Sequence, residues 1–174
     1  MEVLAIAGSL RAASINRAYV RAAARLAPAG VRISVYEELG ELPLFNPDLE
    51  ECLPPAAARL RDAAHRADAL LIASPEYAHG ISGVMKNALD WLVGCERFPG
   101  KPVAVVNTAP HAHLAYDSLV EVLRTMSATI VSEASIALPM RGNCVTEPKM
   151  VAHPRISAEI ADGLRALQRF LGGA

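Results

Sequence analysis

Short apolar runs take turns along this chain with stretches in which apolar residues recur every three or four positions. Val3 to Ala7 is a continuous apolar run closed by Gly8, the pattern of a strand buried on both faces. Ile15, Ala18, Tyr19, Ala22, Ala23 and Leu26 follow at helical spacing, and Pro28-Ala29-Gly30 ends that helix. Val31 to Tyr36 alternates apolar with polar residues, which predicts a more exposed strand near a sheet edge. Glu37 to Pro55 carries Pro43, Pro47, Pro54 and Pro55 and reads as a connection whose length points to function or to an embedded helical turn. A helix over Ala56 to Ala67 and a strand over Ala69 to Ala73 come next. The helix predicted from Ser82 to Val93 puts Val84, Met85, Ala88, Leu89 and Leu92 on one face. Val103 to Val106 predicts a fourth strand, Leu119, Val122, Leu123 and Met126 a fourth helix, and Thr129 to Ala137 a fifth strand. Met140 to Pro154 reads as loop, and Ile156, Ile160, Leu164, Leu167 and Phe170 stripe a last helix.

Five strands alternating with five helices, with no internal repeat and no low-complexity linker, predict one parallel sheet with helices on both faces. At 174 residues the chain suits a single domain, 1–174. Two strand orders compete, the flavodoxin-like 2-1-3-4-5 and the dinucleotide-binding type, and periodicity does not choose between them. Hydrophobic residues make up 52% and charged residues 20%, so the chain has the composition of a globular protein. A formal net charge of -1 offers no footprint for nucleic acid or an anionic membrane. No stretch approaches the roughly 18 apolar residues of a membrane span, and the N-terminal residues lack the basic lead of a secretory signal, so a cytoplasmic protein is expected. Cys52, Cys95 and Cys144 are widely spaced with no CxxC pair, and the five histidines show no HExxH pattern, so neither a disulfide framework nor a metal site is expected.

The loops carry more. In open α/β sheets ligands bind outside the carboxyl ends of the strands, where the strand order reverses. The first strand runs into Gly8-Ser9-Leu10-Arg11-Ala12-Ala13-Ser14-Ile15-Asn16-Arg17. Gly8 permits a tight turn, and the amides after it can converge on an anion at a helix N-terminus. Ser9 and Ser14 add hydroxyls, Asn16 an amide and Arg11 a charged fork, all suited to phosphate. The GxxxxGK[ST] loop is absent, and Leu10 and Ala13 occupy the later glycine positions of GxGxxG, so nucleoside-triphosphate hydrolysis and the usual dinucleotide loop both lose ground. The third strand runs into Ser74-Pro75-Glu76-Tyr77-Ala78-His79-Gly80-Ile81-Ser82-Gly83, where Pro75 fixes a turn, Tyr77 offers an aromatic plane, and Gly80 and Gly83 let backbone approach a flat ligand. In the order 2-1-3-4-5 these two loops flank one crevice, which suits a mononucleotide with an extended ring and its phosphate at one end.

At these residues the chain resembles the NADPH-dependent FMN reductase family, the flavodoxin-like group that includes chromate, quinone and azo-dye reductases. Gly8 to Arg17 matches the family's GSLR-x-x-S-x-N-R throughout. Pro75, Glu76, Tyr77, Gly83, Lys86, Asn87, Ala88, Leu89, Asp90 and Trp91 match its PEYN-x-x-x-PG-x-LKNA-[IL]-DW motif. The resemblance implies a three-layer sandwich with its sheet in the order 2-1-3-4-5. Ser9, Arg11, Ser14 and Asn16 would hold the FMN phosphate. Pro75, Glu76, Tyr77, His79 and Gly80 would hold the isoalloxazine, partly through main chain, and Thr108 would add a contact beside the ring. Ala78 departs from the family's Asn, Ser82 replaces its Pro and is expected to leave that loop less rigid, and Asn107 to His113 lacks the Gly-rich sequence of many relatives. Lys86, Asn87, Asp90 and Trp91 would brace loops or subunits, with Trp91 as a buried anchor of a dimer.

By the same resemblance, electrons pass from NADPH or NADH through bound FMN to a small acceptor (a quinone, azo compound, metal oxyanion or free flavin) by ping-pong turnover. FMN performs the chemistry, so no catalytic side chain is obligatory, although His79 is a candidate assistant. A homodimer or homotetramer is implied. The alternatives are a non-enzymatic FMN electron carrier, which near-neutral charge disfavours because such carriers dock through acidic surfaces, and a flavin-binding sensor module.

Overall fold

Why the strands fall where they do is visible in their side chains. The computed structural model describes residues 1–109, 111, 113–138 and 146–173 and contains strands β1 (Glu2–Ala7), β2 (Arg32–Tyr36), β3 (Ala69–Ala73), β4 (Glu76–Tyr77), β5 (Gly80–Ile81), β6 (Pro102–Val106) and β7 (Thr129–Ile130). Its helices are α1 (Ile15–Arg25), α2 (Pro55–Arg66), α3 (Gly83–Leu92), α4 (Leu114–Thr125), α5 (Glu147–Ala152) and α6 (Pro154–Gly172). Leu4 and Ile6, Leu70 and Ile72, and Val103 and Val105 face a core shared with α2, α3 and α4, where Leu60, Met85, Trp91 and Leu123 are buried. The intervening Val3, Ala5 and Ala7, Leu71 and Ala73, and Ala104 and Val106 face a second core with Tyr19, Val20, Ile160 and Leu164 of α1 and α6. Both sets are apolar, so the strands read as unbroken hydrophobic runs, as strands covered on both faces must. The result is three layers, helix on sheet on helix.

The main sheet has the order β2-β1-β3-β6-β7, all parallel. Because β4 and β5 form a separate antiparallel hairpin, this is the expected flavodoxin-like 2-1-3-4-5 topology. β2 lies at an edge, as its alternating pattern predicts. The strand order reverses between β1 and β3, and their carboxyl ends open a crevice there. Among the described residues, no helix is long and apolar enough to cross a membrane.

Two stretches differ from the sequence-based expectation. The predicted strand Thr129 to Ala137 pairs regularly only at Thr129 and Ile130, then turns through a 3-10 segment, Ser132–Ala134. There the Ser135 hydroxyl replaces a ladder partner: it accepts from the Val105 N–H at 3.0 Å and donates to the Val131 carbonyl at 2.9 Å. Serine hydroxyls compete with sheet pairing in this way. Parallel contact resumes at Ala137, opposite Asn107. Met140 to Pro154, expected as loop, contains α5, whose Pro148 sits at the start of the helix where a missing N–H costs nothing. Residues 139–145, with Cys144, lie outside the described residues.

The connection from Glu37 to Pro55 does embed helical turns, at Leu39–Glu41 and Pro47–Leu49. It is held by α3 rather than left free. The Pro43 carbonyl accepts from Asn87 Nδ2 at 2.9 Å and from Trp91 Nε1 at 2.8 Å, and Asn87 Oδ1 accepts from the Phe45 N–H at 2.8 Å. Phe45 meets Trp91 edge to face, with ring centroids 5.0 Å apart. Arg61 completes the clamp, donating to the Trp91 carbonyl at 2.7 Å and to Glu50. Trp91 is fully buried inside its own chain, so the expected role as a dimer anchor is corrected: it holds the 37–55 connection. Asn87 braces the same loop, while Lys86 and Asp90 pair with each other on the helix surface.

Candidate functional site

Gly8 ends β1, and its N–H continues the ladder by donating to the Ala73 carbonyl at 2.9 Å. A Cβ here would stand 2.5 Å from Ser74 Oγ and 3.0 Å from Met85 Cβ, so only glycine lets the loops after β1 and β3 come this close. Beyond Gly8 the chain loops to Ser14, which caps α1: its Oγ accepts from the Arg17 N–H at 3.3 Å. Arg17 and Arg21 of α1 both pair with Glu37, at 2.8 Å each, tying this helix to the end of β2. Burial raises the Glu37 carboxyl, but the hydrogen bonds from Arg21 and Arg17 outweigh it and hold the group below its ordinary range. Arg11 is exposed and makes no hydrogen bond or ion pair among the described residues.

After β3, Pro75 leads into the β4–β5 hairpin, whose register pairs Tyr77 with Gly80 and leaves Ala78-His79 as a two-residue turn. Both residues have positive φ, 50° and 62°, as a type I′ turn requires. Neither is the Asn or Gly such a turn favours, so the hairpin carries local strain. Ser82, expected to loosen this loop, caps α3 instead, its Oγ accepting from the Met85 N–H at 3.3 Å. The Glu76 carboxylate reaches across to α4, accepting from the Ala115 N–H at 2.9 Å. His113, at the cap position of α4, makes no side-chain bond to the helix, so Glu76 from the hairpin does the capping.

A cavity of about 500 Å³ lies between these loops, within the roughly 300–1,000 Å³ typical of small-ligand sites. Its lining includes Ser9, Arg11, Ser14 and Asn16 from the β1–α1 loop and helix start, Pro75, Glu76 and Tyr77 from the hairpin, and Thr108 after β6. Eight of the ten expected site residues are thus brought together. His79 and Gly80 are not among the lining; His79 stands exposed at the hairpin tip. Side chains not singled out from sequence complete the wall, chiefly Asn107 beside Thr108, and Ala115, Tyr116 and Leu119 of α4. The spacing of Tyr116, Leu119 and Val120 on a helix that follows a strand end was the available signal. Burial, with Asp117 next in weight, pushes the Tyr116 phenol above its ordinary value, so it stays a neutral hydroxyl at pH 7.

The polar chemistry is concentrated here. Of the six buried polar or charged residues described, Ser9, Ser14, Asn16 and Thr108 line this cavity. Buried polar groups persist where partners satisfy them, and these cluster where a ligand's oxygens would do so. The β1–α1 loop and helix start supply hydroxyls, an amide and a guanidinium, and Tyr77, Tyr116 and Leu119 supply apolar wall. Hydroxyl, amide and guanidinium donors suit a phosphate, and the apolar wall suits a flat ring, so the residues present fit FMN. Among the described residues no cluster of His, Cys, Asp or Glu has the makings of a metal site.

Comparison with known proteins points to the same fold and to a family. The model of the NADPH-dependent FMN reductase family matches residues 1–142. A quinone reductase of Pseudomonas putida is 41% identical over 114 residues, which cover 63% of this chain and 61% of that protein. An NAD(P)H-dependent FMN reductase of Pseudomonas aeruginosa is 41% identical over 112 residues, covering 63% of this chain and 60% of that protein. The match therefore spans about three fifths of the length of these relatives. Among solved structures, the flavoenzyme NAD(P)H:(acceptor) oxidoreductase FerB from Paracoccus denitrificans superposes with a TM-score of 0.68 at 28% identity, covering 99% of this chain and 91% of that one. On its motifs, its topology and the family match, the chain belongs to the NADPH-dependent FMN reductase family.

Proposed function

We propose that the chain is one FMN-binding domain whose cavity takes the phosphate on Ser9, Arg11, Ser14 and Asn16 and the ring beside Pro75, Glu76 and Tyr77. In this proposal it passes electrons from NADPH or NADH to a small acceptor by ping-pong turnover. The observation that carries it is the concentration of buried polar side chains around one cavity at the reversal point of the sheet. FMN, when bound, supplies the redox chemistry. The chain's own residues do the rest. Arg11 and the amides of the β1–α1 loop offset phosphate charge, and Glu76 holds α4 against the hairpin so that Ala115 and Tyr116 wall the cavity. His79, at the exposed tip, is placed to meet a diffusing reactant rather than the buried end of a ligand.

The names of the relatives favour a quinone as acceptor, with azo compounds, metal oxyanions and free flavin as further candidates. We also expect a homodimer or homotetramer. Leu10, Leu44, Tyr77 and Val93 are 54%, 85%, 53% and 64% exposed, apolar surface that a partner copy would cover. Light scattering on the purified chain gives the assembly state directly.

The activity is tested by loading the protein with FMN and following flavin absorbance under anaerobic NADPH, then NADH. Bleaching with recovery on adding a quinone supports the proposal. Bound flavin that stays oxidised with both nucleotides would instead indicate a carrier or sensor, and absence of flavin binding would overturn the proposal entirely.

A further inference from the structure

Thr108 sits after β6 in the cavity lining, and family resemblance makes it a contact beside the ring. The structure gives its hydroxyl a different partner. Thr108 Oγ1 donates to Asn16 Oδ1 at 3.0 Å, a buried bond between residues 92 apart in the chain. Thr108 is 6% exposed and Asn16 5%, so both residues are buried.

In this arrangement the Asn16 amide turns Oδ1 to Thr108 and Nδ2 away from it. An asparagine presents one acceptor oxygen and one donor nitrogen, and rotating the amide exchanges them. A hydroxyl has a single proton, and Thr108 spends it on Oδ1. Among the described residues Asn16 Nδ2 has no hydrogen-bond partner, and no fully buried side-chain nitrogen or oxygen lacks one. The nitrogen therefore reaches open space, and Asn16 borders the cavity. Its neighbour Ser14 shows the same division of labour. The Ser14 oxygen is occupied by the Arg17 N–H, which leaves its O–H to point elsewhere. Arg11 has only donors to offer. The Ser14 O–H, Asn16 Nδ2 and the Arg11 guanidinium are thus donors left without an internal acceptor among the described residues, the polarity a phosphate dianion needs.

We infer that Thr108 is a positioning residue: its hydroxyl locks the Asn16 amide with Nδ2 toward the cavity, so that Asn16 donates to the phosphate of the flavin nucleotide. This rests on the FMN proposal above. It also separates two roles that activity alone would confuse. A ring contact acts on FMN and riboflavin alike, since both carry the isoalloxazine. A residue acting through Asn16 on the phosphate acts on FMN only.

The test is flavin fluorescence quenching with FMN and with riboflavin on wild type, Thr108→Val, Thr108→Ser and Asn16→Asp. Thr108→Val keeps the shape and removes the donor. It is expected to weaken FMN about ten- to a hundredfold, the range for losing a hydrogen bond to a charged group, and to leave riboflavin unchanged. Thr108→Ser restores the donor and should bind FMN within a few-fold of wild type. Asn16→Asp sets a carboxylate against the phosphate and should lose FMN while keeping riboflavin. A readout on the unmutated protein guards against a variant that fails to fold. The Asn16 side-chain amide proton resonances should shift on adding FMN and stay in place on adding riboflavin. Equal weakening of both flavins by Thr108→Val, unchanged FMN affinity, or an Asn16 amide that ignores FMN would each overturn the inference. Wild type that binds neither flavin would overturn the FMN proposal itself, and this inference with it.

Discussion

Replacing Glu76 separates two roles for this residue. By family resemblance it touches the ring; in the structure its carboxylate caps α4 through the Ala115 N–H at 2.9 Å. The first turn of α4 gains no bond from the His113 side chain, and its acidic residue there, Asp117, is exposed. Glu76→Ala removes both the acceptor and the charge. Loss of a capping side chain costs about 0.5–2 kcal/mol. Loss of a negative charge at a helix N-terminus adds about 0.3–1 kcal/mol. The two overlap in one carboxylate, so about 1.5 kcal/mol is expected for Glu76→Ala, and about 0.5 kcal/mol for Glu76→Gln, which keeps an acceptor. For a chain of 174 residues, at about 2–4 °C per kcal/mol, Glu76→Ala should lower Tm by about 3–6 °C and Glu76→Gln by about 1–2 °C. Thermal unfolding of the flavin-free protein reads this without any contribution from the ligand. An unchanged Tm for flavin-free Glu76→Ala would refute the capping role and return Glu76 to the ring.

Ala78 occupies a positive-φ turn position at 50°, which costs a non-glycine residue about 1–2 kcal/mol; Asn tolerates it better, so Ala78→Asn should raise Tm in the same assay. Gly8→Ala should destabilise by about 1–3 kcal/mol through overpacking against Ser74 and Met85, read as a lower midpoint in urea. Arg11→Ala should leave Tm unchanged, because Arg11 has no hydrogen bond or ion pair among the described residues, and weaken FMN about tenfold or more in a fluorescence titration with riboflavin unaffected. The Glu37 carboxyl is held below its ordinary range, so its contribution to stability is present above that range and lost as pH falls through the depressed value. Because Glu37 is largely exposed, Glu37→Gln should cost under about 1 kcal/mol at pH 7, with the difference from wild type closing in acid unfolding curves.

The sheet was legible because its central strands are apolar on both faces; Val3 to Ala7 and Ala69 to Ala73 admit little else. Short elements escaped for physical reasons. The hairpin strands are two residues each, and Ala78-His79 lacks the Asn-Gly signal that marks a type I′ turn. Ser135 substitutes a side-chain hydroxyl for a ladder bond, which no alternation of apolar residues records. α5 opens with Glu147-Pro148, and a proline inside a short polar stretch reads as loop until its position in the first turn is known. At the site, the motif Gly8 to Arg17 named the residues but not their partners. That Thr108 bonds Asn16, 92 positions away, is set by the adjacency of the β1 and β6 ends around β3. Trp91 shows the same limit: its place in the motif was plain, whereas its burial against Pro43 and Phe45 depended on where the 37–55 connection folds.

The central claim is that the cavity at the β1–β3 reversal is an FMN site. Isothermal titration of the purified, flavin-free chain with FMN tests it most directly. One FMN per chain, bound more tightly than riboflavin and weakened by Arg11→Ala, is the expected result. No heat of binding with FMN, or equal affinity for FMN and riboflavin, would contradict it.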